Sequence, residues 1–262
     1  MKQRIITAVV AAAIFLPIIL VGKIPFIILM YAIASISLYE ALKMRGHGIM
    51  TIPGLLSLAL LWIFLIPNET IDVIADFGYS KMEFVFIAVL LLLVYTVITK
   101  NRFTYDDVGF HLLSLLYVGI GYFYFIEIRM LSNGAQLIFY ALFIIWATDS
   151  GAYFIGRAMG KKKLWPHISP NKTVEGFIGG IVSAVIVGII ITFFTDLGIS
   201  MPKLIIITAI LSVFGQMGDL VESALKRHYG VKDSGNLLPG HGGMLDRFDS
   251  LLFVLPLLHF LL

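Results

Sequence analysis

Apolar runs of bilayer-spanning length recur from one end of this 262-residue chain to the other. The first, "IITAVVAAAIFLPIILVG", begins after only four residues, "MKQR". In lipid, only helices and closed barrels satisfy their own backbone. Continuous runs without period-2 alternation select helices over a barrel. Composition agrees: 59% of residues are hydrophobic and 13% charged, against roughly a quarter charged in soluble domains. The chain therefore reads as an all-α integral membrane protein with about nine transmembrane helices, at 5–22, 24–42, 51–67, 83–99, 108–126, 136–156, 175–196, 202–222 and 248–262. The basic-then-apolar start resembles a secretory signal. It is read as a retained first span, because further spans follow at once and no small-residue cleavage site comes after the apolar core. The absence of cysteine excludes disulfides, thiolate metal sites and a cysteine nucleophile.

Alternating spans divide the basic residues unevenly. Only Lys23, Lys81, Arg129 and Lys203 of the 19 Lys and Arg fall on one side. The positive-inside rule then puts the N-terminus in the cytoplasm and the C-terminus outside, with the acidic loop "NETIDVIADFGYSKM" external. Polarity is also uneven along the chain. Residues 1–134, about five helices, carry little intramembrane charge and read as a transmembrane scaffold. Residues 135–262, about four helices with long cytoplasmic loops, hold the polar clusters and read as the catalytic region.

Three clusters stand out. In "ATDSGAYFIGRAMGKKKLWPHISPNKTVEG", Asp149, Tyr153, Gly156 and Arg157 share a helix face. Further on, Ser169, Asn171 and Thr173 offer capping groups before an apolar helix, and Lys172 beside such a helix start suits an anion. In "FGQMGDLVESALKR", Gln216, Asp219, Ser223 and Lys226 form a stripe flanked by Glu222 and Arg227. An i,i+4 pair accounts for Glu222 and Lys226 but leaves Asp219 without a basic partner at that spacing. In "KDSGNLLPGHGGMLDRFDS", glycines around Pro239 dictate a tight loop whose N–H groups could cradle phosphate. Asp246 and Asp249 follow at i,i+3 with Arg247 between them. His241 could bind phosphate, move a proton or brace the loop. Carboxylates that repel one another, set beside cations that attract anions, suggest a metal-bridged phosphate site.

These residues closely resemble the phosphatidate cytidylyltransferases, or CDP-diacylglycerol synthases. The family signature is met by Ser223, Leu225, Lys226, Arg227, Lys232, Asp233, Pro239, His241, Gly242, Gly243, Asp246, Arg247, Phe248 and Asp249. "DSGAY", "ISPNKTVEG" and "QMGDLVES" also look like family segments, in family order. The resemblance runs from about Asp149 to Asp249; the first five spans share only hydrophobicity.

The resemblance implies attack of the lipid phosphate on the α-phosphorus of CTP, giving CDP-diacylglycerol and pyrophosphate with Mg²⁺, and it allows a second cation. Asp219, Asp246 and Asp249 are the expected metal ligands. Asp219, Ser223, Lys226, Asp246, Arg247 and Asp249 form the expected catalytic set. Asp149, Ser169, Lys172, Thr173, Arg227, Lys232, His241, Gly242 and Gly243 are expected to bind substrate. The partners implied are CTP, phosphatidate in the bilayer and, as a possible homodimer, a second copy of the chain, with no nucleic acid. The place implied is a bacterial inner membrane, with the site facing the cytoplasm. Two other readings compete: a CTP-dependent polyprenol kinase, which would release CDP, and an ion-coupled transporter, since intramembrane carboxylates also mark translocation paths.

Overall fold

The computed structural model describes residues 2–70 and 80–262, the side chains at 2, 4 and 5 excepted. Most of the acidic loop expected outside therefore lies beyond the described residues, as do the side chains of Lys2 and Arg4. Among the described residues there are nine α-helices, one at each expected run: α1 Lys2–Val21, α2 Lys23–Met44, α3 Ile52–Phe64, α4 Lys81–Ile98, α5 Tyr105–Met130, α6 Gly134–Met159, α7 Val174–Ile191, α8 Met201–His228 and α9 Leu245–Leu261. Six of them (α2 and α4 to α8) are long and apolar enough to cross a membrane. The chain is a multi-pass helical membrane protein. The apolar parts of α1 and α3 are shorter, and α9 has 17 residues. At 1.5 Å per residue, the 13 residues of α3 reach only about 20 Å into a core about 30 Å thick.

Helix ends depart from the hydropathic runs where polar groups take over. Helix α5 starts at Tyr105, three positions earlier than expected, because Thr104 caps it: its side chain accepts from the Asp107 N–H while Asp107 accepts from the Thr104 N–H. Helix α8 continues past the expected residue 222 to His228, carrying the charged stripe out of the apolar zone as helix. The basic loop before α7, read from sequence as a capped helix start, also contains a short antiparallel hairpin, β1 Lys163–Trp165 with β2 Ser169–Thr173.

The interior is built around α5 and α9. Phe15 of α1, Phe26 of α2, Phe125 of α5 and Phe248 of α9 meet edge-on, with ring centroids 5.4 to 6.0 Å apart in the three closest pairs. Such pairs add about 0.5–1.5 kcal/mol beyond burial. Helices α6 and α7 approach through small residues. Thr148, Gly151 and Ala152 face Gly176, Gly180 and Ser183, where an added Cβ on the glycines would strike the opposite helix. Lipid offers no hydrophobic drive between helices, so close backbone contact of this kind supplies the adhesion. Buried hydroxyl pairs fix the register: Tyr140 with Thr208 at 2.6 Å and Thr148 with Ser212 at 2.9 Å. Outward faces stay apolar. On α4 only Ala88 and Leu92 are buried, the pattern of a helix whose solvent is lipid.

Candidate active site

Helices α6 and α8 finish, and α7 and α9 begin, at the same end of the bundle. A cavity of about 470 Å³ opens there, lined by Asp149, Tyr153, Gly156 and Arg157 of α6, Asn171, Lys172 and Thr173 of the hairpin, and Gln216 and Asp219 of α8. The face read from sequence on α6 is thus delivered whole to one wall. Arg157 hydrogen-bonds Tyr153 Oη at 3.3 Å and makes no ion pair with Asp149 among the described residues. Thr173 is the N-cap of α7, its side chain accepting from Gly176 N at 3.1 Å. That cap turns the strand so that the neighbouring Lys172 reaches across the cavity to Asp219.

Asp219 is the junction of the site. Its Oδ2 holds Lys172 Nζ at 2.6 Å, and its Oδ1 accepts from Ser223 Oγ at 3.2 Å, one turn on. Asp249 lies within electrostatic reach of Asp219, Asp149 and Lys226. Its Oδ1 accepts the Ser250 N–H at 2.6 Å. Lys226 then bridges Glu222, fully buried, and Asp246 Oδ1 at 2.6 Å. The i,i+4 pairing of Glu222 with Lys226 is the one the spacing suggests.

The glycine-rich loop is organised by two carboxylates. Asp246 Oδ2 accepts from Ser234 N at 2.9 Å, Ser234 Oγ at 2.9 Å and Gly243 N at 2.7 Å. Glu40, nearly inaccessible on α2, accepts from Ser234 Oγ, Met244 N and Leu245 N at 2.9 to 3.1 Å. It supplies the cap that α9 lacks locally. Gly243 leaves room for this clasp, since a Cβ there would lie 2.2 Å from Ser234 Oγ and 2.5 Å from Glu40 Oε2. Leu238 to His241 form a turn closed by His241 N to Leu238 O at 2.9 Å. Pro239 occupies the position that favours proline, and Gly240 the one needing positive φ, here 77°.

The structure thus joins Lys172, Asp219 and Ser223 in one polar group and Lys226, Glu222 and Asp246 in another, with Asp149 and Thr173 on the wall of the first group's cavity and Asp249 three residues after Asp246 on α9. It leaves others apart. Arg227 is exposed and donates to Val231 O at 3.2 Å. Lys232 is exposed, and Ser169 pairs with Trp165 in the hairpin. His241 and Arg247 line a second, apolar cavity. The loop N–H groups of Gly243, Met244 and Leu245, candidates for cradling phosphate, point at carboxylates instead. Glu40 and Ser234 went unrecognised in the sequence. The usable signal for Glu40 was its place as an ionisable residue inside the expected second span.

Carboxylate oxygens are the donor type that a hard cation takes. Among the described residues no three carboxylate or imidazole groups form a ready-made cage, but Mg²⁺ commonly takes only one or two carboxylates and completes its shell with substrate oxygens. Asp219 Oδ2 and Asp246 Oδ1 are each occupied by a lysine ammonium, a positive charge of the kind a cation would replace.

Residues 2–262 of the sequence match the model of the cytidylyltransferase family. Among curated proteins it is 59% identical to the phosphatidate cytidylyltransferase of Bacillus subtilis, over 100% of this chain and 97% of that protein. It is 50% identical to that of Staphylococcus haemolyticus, over 100% and 99%, and 49% identical to that of Staphylococcus aureus, again over 100% and 99%.

Proposed function

The chain belongs to the cytidylyltransferase family, and on that premise we propose that it transfers the cytidylyl group of CTP to phosphatidate, forming CDP-diacylglycerol. A lipid phosphate oxygen bonds to the α-phosphorus of CTP, the bond from that phosphorus to the β-phosphate oxygen breaks, and pyrophosphate leaves. The observation that carries this reading is the polar cavity built on the Lys172–Asp219 pair, in a chain 59% identical to a phosphatidate cytidylyltransferase.

A phosphate monoester is already largely ionised near neutral pH, its second pKa being about 6. The protein therefore has little proton transfer to perform. Its work is positioning and charge neutralisation. Lys172 and Lys226 release their carboxylates to meet phosphate oxygens. Arg247 adds a planar fork suited to phosphate. Ser223 steadies Asp219. Exposed Arg227 and Lys232 steer the anionic nucleotide toward the cavity. Asp219 and Asp246, through the oxygens now on lysines, and Asp249 would hold Mg²⁺, with Asp149 available to a second cation. Once bound, the metal would offset triphosphate charge at the reacting phosphorus.

The polar end of the bundle belongs on the cytoplasmic side of a bacterial inner membrane, with nine passes, the N-terminus inside and the C-terminus outside. The Lys and Arg distribution supports that orientation. Each substrate then stays in its own phase. Purified protein given CTP, phosphatidate and Mg²⁺ is expected to yield CDP-lipid and pyrophosphate, and chelation to stop it. Release of CDP with a phosphorylated lipid would make it a kinase instead, and transport without turnover a transporter.

A further inference from the structure

The second cavity differs from the first in almost every respect. It holds about 630 Å³ and is walled by α1, α2, α6 and α9, with apolar side chains such as Ala11, Ile14, Leu142 and Leu251. Two polar groups break this lining at the glycine-rich loop: Arg247 and His241. The Nδ1 of His241 is buried and has no hydrogen-bond partner. An imidazole nitrogen left in that state costs stability unless something supplies the missing partner.

The two cavities flank the same stretch of α6. On α6, Trp146 lines the apolar one and Asp149, three residues on, lines the polar one. From α9, Arg247 lines the apolar cavity, one residue after Asp246, which Lys226 holds at 2.6 Å. One guanidinium thus sits in the apolar lining, next in sequence to that carboxylate. The outer wall is α1, which is thinly packed. Among its described side chains only Ile19 is buried, while Ile6, Val10 and Ile14 are more than half exposed. Thr7 Oγ ties α1 to the loop, donating to Pro239 O at 3.1 Å.

We propose that this cavity is a slot for one acyl chain of the lipid phosphate substrate, entered from the bilayer past α1, with Arg247 and His241 at its mouth facing the phosphate. An apolar body ending in a cation and an unpartnered imidazole is the complement of an anionic amphiphile. Its polar end is made by the same loop and helix start that carry Asp246, where the cytidylyl transfer is placed. The slot rests on the reading of the chain as a phosphatidate cytidylyltransferase and adds where the lipid lies. Chain length should therefore register in KM through α1 and α6, with the nucleotide indifferent to it.

The test compares dioleoyl with dihexanoyl phosphatidate in detergent, using Ala11→Trp to fill the slot. The dioleoyl KM should rise at least about tenfold relative to the dihexanoyl KM, since each excluded methylene group counts in an apolar pocket. Equal effects on both lipids, or none, overturn the slot. Because the variant could misfold, a second measurement uses the unaltered protein: photolabelling with phosphatidate carrying a diazirine at the chain end. Adducts on Ala11, Leu142 or Trp146, suppressed by excess phosphatidate but not phosphatidylcholine, support the slot. Labelling suppressed equally by both lipids marks ordinary boundary lipid and overturns it. If the unaltered protein makes no CDP-lipid at all, the enzymatic reading itself fails, which these comparisons distinguish from failure of the slot.

Discussion

In the first half of the molecule, Arg45 grips Asp107 Oδ1 through Nε and Nη2, both at 2.7 Å, while Asp107 Oδ2 takes the Thr104 N–H and hydroxyl. His47 and His111 share a 3.0 Å contact, and His111 passes on to Ser57 at 2.9 Å. In the second half, Asp219 is held by a lysine ammonium and a serine, its side chain a third accessible, and Asp149 lines the same cavity with no ion pair among the described residues. Both networks contain carboxylates and cations. In the first, a planar fork, a backbone N–H and a hydroxyl occupy both oxygens of Asp107, and burial pulls the pKa of His47 below its ordinary value. In the second, flexible ammonium groups occupy oxygens they can leave. Polarity closed on itself is architecture; polarity kept exchangeable beside a cavity is a site.

Asp219→Asn should break the contrast most sharply. The amide keeps a partner for Ser223 but removes the charge, and turnover should fall by about a hundredfold to a thousandfold, the scale of losing one electrostatic stabiliser. The thermal midpoint should move less than about 3 °C. A near-normal rate with a large loss of stability would move Asp219 into the architectural class.

Glu40 belongs to both halves, and its replacement shows which role dominates. Glu40→Ala strips the cap from α9 and leaves the Met244 and Leu245 N–H groups without an acceptor, while Ser234 Oγ keeps Asp246, so about 2–3 kcal/mol of stability should go. The kcat should fall about tenfold with the KM for CTP little changed, the signature of displaced catalytic groups. Glu40→Gln, which retains an acceptor oxygen, should recover part of both. Equal behaviour of the two variants would show that the clasp positions nothing.

Asp107→Asn is expected to have the smallest effect on catalysis. Weakening its pair with Arg45 should cost about 1–3 kcal/mol, measured as earlier thermal inactivation, while kcat of the folded fraction changes less than about twofold. A larger kinetic loss would mean that the contact from Arg45 to Tyr229 at the end of α8, 3.3 Å, carries structure into the site.

Each of the nine α-helices among the described residues falls on an apolar run visible in the sequence, because a backbone in lipid must be helical wherever such a run is long enough, whatever its neighbours do. The stripes on α6 and α8 were equally legible: helical periodicity alone puts Asp149 with Arg157, and Asp219 with Ser223, on one face. Helix ends were not, since hydropathy is blind to a Thr104 cap or to the charged extension of α8. The clasp on the glycine-rich loop was hidden for a different reason. Its organiser, Glu40, lies about two hundred residues upstream, and periodicity carries no information across that separation.

What the sequence by itself determined is the kind of molecule and the chemistry available to it: helices in lipid, and carboxylates beside cations near the C-terminus. Only the tertiary structure decided which of these groups meet. It set Lys172 on Asp219 and Lys226 between Glu222 and Asp246, turned the loop N–H groups toward Glu40 and Asp246, and put Arg247 in the lining of an apolar cavity. The physical reason is that apolarity and periodicity are properties of a segment, whereas a charge finds its partner only when packing brings two segments within a few ångströms.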